Sequence, residues 1–213
     1  MTERRLTPLD QLITHAERLL RHGLTATSSV AVRPAPESEP TDLPEREALE
    51  SARLMRVNHA GEIAAQALYH GQAAVTRDPE VRQALEQAAA EEQDHLAWCE
   101  QRLAELGSEP SLLQPVWYLG SFAIGAFAGL LGDRVSLGFI AETERQVVDH
   151  LTGHLQRLPD DDKRSRAILE QMREDEARHG THAIEQGGIP LPGPVRKLMR
   201  AASRVMTRTA YWI

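Results

Sequence analysis

Apolar residues near the start of the chain recur with the spacing of an amphipathic α-helix. Over residues 1–22 they share one helical face, which could dock on the rest of the protein or lie on a membrane, and Gly23 would end the helix. Residues 23–44 contain four prolines among serine, threonine and acidic residues, which is typical of a flexible or extended linker. The main domain is therefore predicted over residues 45–213.

The main domain has the periodicity of long helices with clear start and stop signals. Asp78 and Pro79 are the expected N-cap and first position of one helix, and Gly107 is its expected stop. Pro159 and the acidic run after it separate two later helices. The predicted helices span about 45–76, 79–106, 115–157 and 161–186, followed by a short basic amphipathic helix over about 193–207.

Within the third helical region, residues 116–132 form a run of seventeen residues without a charge. The run is shorter than the ~20 apolar residues that cross a bilayer, so a conventional transmembrane helix is not expected. Gly125 and Gly129 form a Gly-x-x-x-Gly pair, which permits close approach of another helix. The run is either a buried helix of the core or an apolar surface that dips into a membrane or docks a lipid.

The composition narrows the class of protein. Hydrophobic residues make up 41% of the chain and aromatic residues only 4%, which favours a helical core of alanine, leucine, valine and isoleucine. A net charge of −7 argues against a nucleic-acid partner, because such proteins need a cationic face. The single cysteine, Cys99, and the absence of an uninterrupted apolar segment over residues 1–22 predict a cytoplasmic protein.

Candidate chemistry lies in two Glu-x-x-His motifs, Glu92 with His95 and Glu176 with His179. On a helix this spacing places both side chains on one face, so that one metal ion can bind both. One such match alone carries little weight, because about one is expected by chance in a chain with nine histidines. Whether the motifs bind metal therefore depends on which other residues accompany them.

Each motif has a glutamate at a matching distance upstream, on the preceding helix. Glu62 lies 30 residues before Glu92, and Glu144 lies 32 residues before Glu176. Because the connecting turns fall near the middle of each interval, both pairs lie at the same level of their hairpins. Two such hairpins packed together match the ligand plan of di-iron and di-manganese carboxylate bundles.

The sequence therefore predicts an all-α, ferritin-like four-helix bundle with an extra N-terminal helix and a short C-terminal helix. Four buried carboxylates would need about two divalent cations, since each unpaired buried charge costs several kcal/mol. Oxygen-rich ligation with two imidazoles suits iron or manganese better than zinc. Glu92 and Glu176 are the natural bridging ligands. The predicted metal ligands are Glu62, Glu92, His95, Glu144, Glu176 and His179.

Two questions stay open at this level. Glu142 competes with Glu144, because residues two apart on a helix face ~200° differently and only one can point inward. Residues that orient the ligands are also expected. The candidates for that role are His59, Tyr69, Asp94, His150 and Asp175, of which Tyr69 and His150 are the predicted catalytic-site residues.

The segments around the predicted ligands are distinctive. They are Asn58-His59-Ala60-Gly61-Glu62, Glu91-Glu92-Gln93-Asp94-His95, Ala141-Glu142-Thr143-Glu144 with His150, and Glu174-Asp175-Glu176-Ala177-Arg178-His179-Gly180. Together they resemble the demethoxyubiquinone hydroxylase family of ubiquinone biosynthesis over about residues 50–213. The N-terminal helix and the linker lie outside this resemblance.

The resemblance implies a di-iron monooxygenase that uses O2 to hydroxylate the ring of a 2-polyprenyl-3-methyl-6-methoxy-1,4-benzoquinol. It places two iron ions on the six predicted ligands and so selects Glu144 over Glu142. Electrons would come from the quinol or from an NADH-linked reductant. The implied location is peripheral, on the cytoplasmic face of the cell membrane, because exposing a prenyl chain costs ~0.8 kcal/mol per CH2. Other ubiquinone-biosynthesis proteins are candidate partners.

Rival functions share parts of this pattern. A ferritin-like or rubrerythrin-like iron oxidase or storage protein would use the same ligands but does not need the apolar run at 116–132. A tRNA-modifying di-iron hydroxylase is disfavoured by the net charge of −7. A metal-free helical interaction protein is the alternative from a different class.

Overall fold

The computed structural model describes residues 43–213, which form six α-helices and no strand within that range. The all-α prediction is confirmed. The predicted N-terminal helix and almost all of the predicted linker lie outside the described residues. The helices are α1 (Glu45–Val75), α2 (Pro79–Glu105), α3 (Gln114–Leu130), α4 (Asp133–Arg157), α5 (Lys163–Glu185) and α6 (Gly193–Ala210).

Two antiparallel hairpins, α1 with α2 and α4 with α5, form the four-helix bundle. The Asp78 side chain accepts hydrogen bonds from the first turn of α2, where Pro79 is the first helical residue, as the sequence predicts. Asp162 caps α5 in the same way and also accepts a 2.9 Å bond from Arg102 Nη2 on α2. This buried ion pair fixes the turn between α4 and α5 against the end of α2.

The apolar core is divided into two main clusters with the predicted metal ligands between them. The larger cluster joins the start of α1, the end of α2, the end of α4 and the start of α5, and includes Met55, Trp98 and Leu151. The second cluster fills the opposite end around Tyr69 and Leu85. Packing at both ends therefore holds the four helices in register along the polar middle of the bundle.

The predicted single helical region over 115–157 is wrong, because the chain breaks between α3 and α4. Gly132 has a φ of +104°, a conformation that favours glycine, and it lets the chain turn sharply. Helix α3 lies outside the four-helix bundle and packs on α1, whereas α4 enters the bundle. None of the described helices is long and apolar enough to cross a membrane.

Small residues allow the backbones of α1 and α3 to touch, as the Gly-x-x-x-Gly pair predicts. A Cβ atom on Gly125 would lie 2.2 Å from the Leu68 carbonyl oxygen, and one on Gly129 would lie 2.5 Å from Val75 Cγ2. Gly71 of α1 faces the Phe122 carbonyl oxygen in the same way, also at 2.2 Å. The contact buries one face of α3 and leaves its other face, with Phe127 and Leu130, exposed.

Replacing Gly125 with alanine is expected to destabilise the fold by about 1–3 kcal/mol, because α1 and α3 must separate to admit the new methyl group. Gly120 lies on the same helix with nothing within 4 Å of a built Cβ. There, alanine should stabilise the protein by about 0.5–1 kcal/mol through helix propensity. Urea unfolding of both variants measures the difference. Equal stability of the two variants would contradict the close helix contact.

Helix α6 is held to the bundle at its C-terminal end. The Tyr211 hydroxyl donates a hydrogen bond to Glu50 of α1, and Arg157 Nη2 of α4 lies 2.6 Å from the same carboxylate. The Arg53 guanidinium lies 4.4 Å from the centre of the Trp212 ring. These contacts fix one end of α6, while most of its side chains stay exposed.

Candidate metal centre

The structure brings the six predicted ligands together in the middle of the bundle. Glu62 comes from α1, Glu92 and His95 from α2, Glu144 from α4, and Glu176 and His179 from α5. Five of the six are buried with at most 3% of their surface exposed, and His179 is intermediate. The pairwise matching of levels in the two hairpins therefore describes the real arrangement.

Glu92 and Glu176 lie between the two histidines. Glu92 places Oε2 3.2 Å from His95 Nδ1 and Oε1 3.5 Å from His179 Nδ1. Glu176 does the same, with Oε1 3.2 Å from His95 Nδ1 and Oε2 3.3 Å from His179 Nδ1. Each carboxylate thus has one oxygen near each imidazole, which is the disposition that a bridging ligand needs.

Glu62 and Glu144 lie at opposite ends of this core. Glu62 Oε2 is 3.6 Å from His95 Nδ1, and Glu144 Oε1 accepts a hydrogen bond from the Tyr69 hydroxyl. Gly180 makes room for Glu144, because a Cβ atom there would lie 3.3 Å from the Glu144 Cβ. Each of these two glutamates could therefore bind a metal ion at one end of the site.

Glu142 points away from the cluster. Its carboxylate is held by Arg145 at 2.8 and 3.0 Å and by the Gln146 amide at 2.7 Å. Since Glu142 and Glu144 are two residues apart on α4, they face different sides of the helix. The structure thus places Glu144 inward, as the family resemblance implies.

Two further carboxylates bind the outer nitrogens of the histidines in a crosswise pattern. His95 Nε2 lies 3.1 Å from Asp175 Oδ2 of the opposite hairpin, and His179 Nε2 lies 2.7 Å from Glu91 Oε2. Such bonds keep the proton on Nε2 and leave Nδ1 free to bind a metal ion. Asp175 was a predicted orienting residue. Glu91 was missed, although an acid directly precedes the glutamate of both motifs and signals the shared role.

The pKa shifts of two glutamates and of the histidines reduce the negative charge of the cluster, whereas hydrogen bonds with His179 and His95 outweigh burial and lower the pKa of Glu92. Burial raises the pKa of Glu62 and Glu144 well above the usual range, and neighbouring carboxylates add to the effect. Burial opposes protonation of His179, but hydrogen bonds to Glu176 and Glu92 raise its pKa to about 12. Protons therefore take the place of cations in the metal-free chain, and metal binding would displace them.

The donor set fits divalent cations. Glu92 Oε1 and Glu144 Oε2 are buried and accept no hydrogen bond within the described part of the chain. A buried carboxylate oxygen without a partner is costly unless a cation binds it. One oxygen each of Glu62, Glu92 and Glu176 and one nitrogen of His95 already lie close enough together to share one ion.

Two of the other predicted orienting residues, His150 and His59, contact groups outside the six ligands. The His150 ring packs on the His154 ring with centroids 3.9 Å apart, and burial lowers the pKa of His150 to about 4. His154 Nδ1 in turn lies 2.8 Å from Asn58 Oδ1. His59 Nε2 lies 3.4 Å from Glu100 Oε1. A catalytic role for His150 therefore stays a prediction, whereas Tyr69 touches a predicted ligand directly.

A four-helix bundle that gathers four glutamates and two histidines in its core belongs to the structural class of ferritin-like carboxylate bundles. The family model described as ubiquinone biosynthesis protein COQ7 matches residues 50–210. The chain belongs to this family, which confirms the resemblance seen in its motifs.

Curated relatives are similar over almost the whole chain. One from Cupriavidus necator is 62% identical over 209 residues, 96% of this chain and 100% of the relative. One from Bordetella parapertussis is 58% identical over 214 residues, 99% of this chain and 95% of the relative. Both are named 3-demethoxyubiquinol 3-hydroxylase. The alignments include most of the region before residue 45, so the similarity extends further than the motifs indicate.

Proposed function

We propose that this protein is a di-iron monooxygenase that hydroxylates the ring of 2-polyprenyl-3-methyl-6-methoxy-1,4-benzoquinol with O2. The observation that carries the proposal is the convergence of four glutamates and two histidines in the core of a chain whose relatives are named for this hydroxylation. One oxygen atom of O2 would replace a ring hydrogen as a hydroxyl group. The other would leave as water, with two electrons and two protons supplied by the quinol or an NADH-linked reductant.

The six side chains would hold two iron ions, with Glu92 and Glu176 between the two histidines and with Glu62 and Glu144 at the two ends of the site. Bound iron would supply the electron transfer and Lewis acidity that the reduction of O2 requires. Asp175 and Glu91 would fix the imidazoles, and Tyr69 would hold Glu144 through its hydroxyl proton. Burial of the ligands would exclude bulk water and so protect the reaction from side products.

Replacing Tyr69 with phenylalanine is expected to weaken metal binding by about 10-fold to 100-fold, because Glu144 loses the donor that orients it. Competition of the loaded protein with a metal chelator measures the change. Tyr118→Phe is the matched control, since Tyr118 is equally buried but lies outside the cluster. Its hydroxyl is 3.2 Å from His70 Nδ1. Equal chelator resistance of both variants would contradict the role of Tyr69.

The reaction itself is tested with purified, iron-loaded protein, the demethoxy quinol, a reductant and O2 labelled with heavy oxygen. We expect one labelled hydroxyl per product molecule. Cells that lack the protein should accumulate the demethoxy precursor and lose ubiquinone. An unchanged quinone profile in those cells would refute the proposed reaction, whatever metal the protein holds.

We also propose that the protein binds the surface of an anionic membrane, on the cytoplasmic face. The exposed side of α3 carries several large apolar side chains, including Leu119, Phe127 and Leu130, which are 53%, 65% and 71% exposed. Helix α6 continues this surface, because Trp117 of α3 and Ala210 of α6 pack in one cluster. The α6 segment carries Arg196, Lys197, Arg200, Arg204 and Arg208 and no acidic residue.

An apolar surface next to a basic amphipathic helix complements a bilayer with negative headgroups. Such binding would bring the bundle to a substrate whose prenyl chain stays in the membrane. It also favours the hydroxylase over an iron-storage protein, which has no use for a lipid-binding surface.

A further inference from the structure

A cleft of about 250 Å³ opens on the bundle between α2, α5 and the start of α4. Small side chains, including Ala84, Ala88 and Ala183, leave this room between the helices. At its inner end the cleft reaches Tyr69 and His179. It therefore connects solvent with the Glu144 end of the metal centre.

The other ligand side chains of the metal centre are shielded from water. The side chains of Glu62, Glu92, His95 and Glu176 are at most 4% exposed, whereas that of His179 is 10% exposed. Glu91, which holds His179 from the cleft side, is 40% exposed. Access from solvent to the buried carboxylates thus runs past the Glu91 and His179 pair.

The charge of the cleft suits a cation. Glu80 and Glu91 line it together with uncharged glutamines and with His182 and His179, the latter paired with Glu91, and no lysine or arginine is among its lining residues in the described chain. Behind it lie four carboxylates, two of which have an oxygen without a hydrogen-bond partner. A channel that leads to an excess of negative charge raises the local concentration and the association rate of cations.

We propose that this cleft is the route by which divalent metal ions reach the buried centre, with Glu91 as the first carboxylate that receives them. The proposal rests on the metal centre of the proposed function. The cleft could hold several water molecules, so an ion can arrive partly hydrated and exchange its water for carboxylate oxygens. Glu91 would swing from His179 to the incoming ion and return once the ion has passed.

The first test is a plug in the cleft. Ala88→Leu adds three carbon atoms to its lining, and Ala90→Leu makes the same change on an exposed position of α2 outside the cleft. Metal-free protein is mixed with Co²⁺ alone, and uptake is followed by the visible absorption of the bound ion. Release is followed after adding a chelator. Ala84→Leu is a second plug variant in case Ala88→Leu does not fold.

We expect the plug to slow Co²⁺ uptake and release by the same factor, about tenfold or more, so that the dissociation constant stays unchanged. Ala90→Leu should behave like the unaltered protein. Uptake by both folded plug variants at the unaltered rate would overturn the access route while leaving the metal centre intact. If the unaltered protein binds no Co²⁺ at all, the proposed function falls together with the route.

The second test removes the charge at the mouth. Glu91→Gln should slow Co²⁺ uptake about twofold to tenfold at low salt, with a smaller effect at high salt, because charge steering is screened. Glu86→Gln, on an exposed position of the same helix outside the cleft, should not change the rate. A Glu91→Gln variant that loads at the unaltered rate and only releases Co²⁺ faster would show that Glu91 merely positions His179, and would overturn its role in access.

Discussion

Replacing Glu144 with glutamine is expected to lower hydroxylation by about 10³-fold or more, because a ligated metal supplies several kcal/mol of the catalysis. The variant should also lose metal content, since the amide cannot supply the negative charge of the carboxylate. Iron per chain, measured by elemental analysis, and turnover of the demethoxy quinol give the two readouts. Glutamine keeps the size of glutamate and can still accept the hydrogen bond from Tyr69, so the fold should survive.

Glu142→Gln is the matched control, two residues away on the same helix. Glu142 is bound to Arg145 and Gln146 and does not face the cluster. Its replacement should leave iron content and turnover near those of the unaltered protein. The opposite result, with Glu142→Gln inactive and Glu144→Gln active, would show that the ligand from α4 has been misassigned.

The Glu144→Gln substitution should stabilise the metal-free chain. Burial and the charges of Glu176 and Glu92 raise the pKa of Glu144 above its unfolded value of 4.5, so above pH 4.5 the unfolded chain releases this proton more readily. The free energy of unfolding therefore falls as pH rises through the window between the two pKa values. Glutamine removes this contribution. Urea unfolding at neutral pH should give metal-free Glu144→Gln a higher free energy of unfolding than the metal-free unaltered protein. A lower value would contradict the destabilising effect of the buried Glu144 charge.

The double substitution of Phe127 and Leu130 by aspartate is expected to weaken membrane binding by about 100-fold or more. Burying each apolar side chain contributes about 1.5–3 kcal/mol, and each aspartate must also approach negative headgroups. Flotation with vesicles of phosphatidylcholine containing phosphatidylglycerol measures the change. Pure phosphatidylcholine vesicles should bind the unaltered protein more weakly, because they do not attract the basic residues of α6.

Ile184→Asp is the control for this surface, since Ile184 is a 47% exposed apolar residue on α5, away from α3 and α6. It should leave flotation unchanged. The iron content of the double variant must stay near that of the unaltered protein, because α3 lies outside the bundle. Flotation of the double variant at the unaltered level would refute α3 as the membrane-binding surface.

Helical periodicity, capping residues and the repeated spacing of Glu62, Glu92, Glu144 and Glu176 are local features. They predict the bundle, and the structure brings the six candidate ligands together in its core. The break at Gly132 was missed because the apolar run already contains Gly125 and Gly129, and a further glycine is compatible with a continuous helix. The crosswise bond from Glu91 to His179 was missed because it joins residues 88 positions apart, on different hairpins.

By itself, the sequence determined the helices apart from the break at Gly132, the pairing of carboxylates within each hairpin, the charge that requires cations and the family. Only the tertiary structure decided which acids hold the outer nitrogens of the histidines, which side of α3 is exposed and where the centre opens to solvent. The reason is that helix periodicity and ligand spacing depend on neighbours within a few turns. Crosswise contacts, exposed faces and clefts depend on how two hairpins and an outer helix pack, and that packing is set by side chains far apart in the chain.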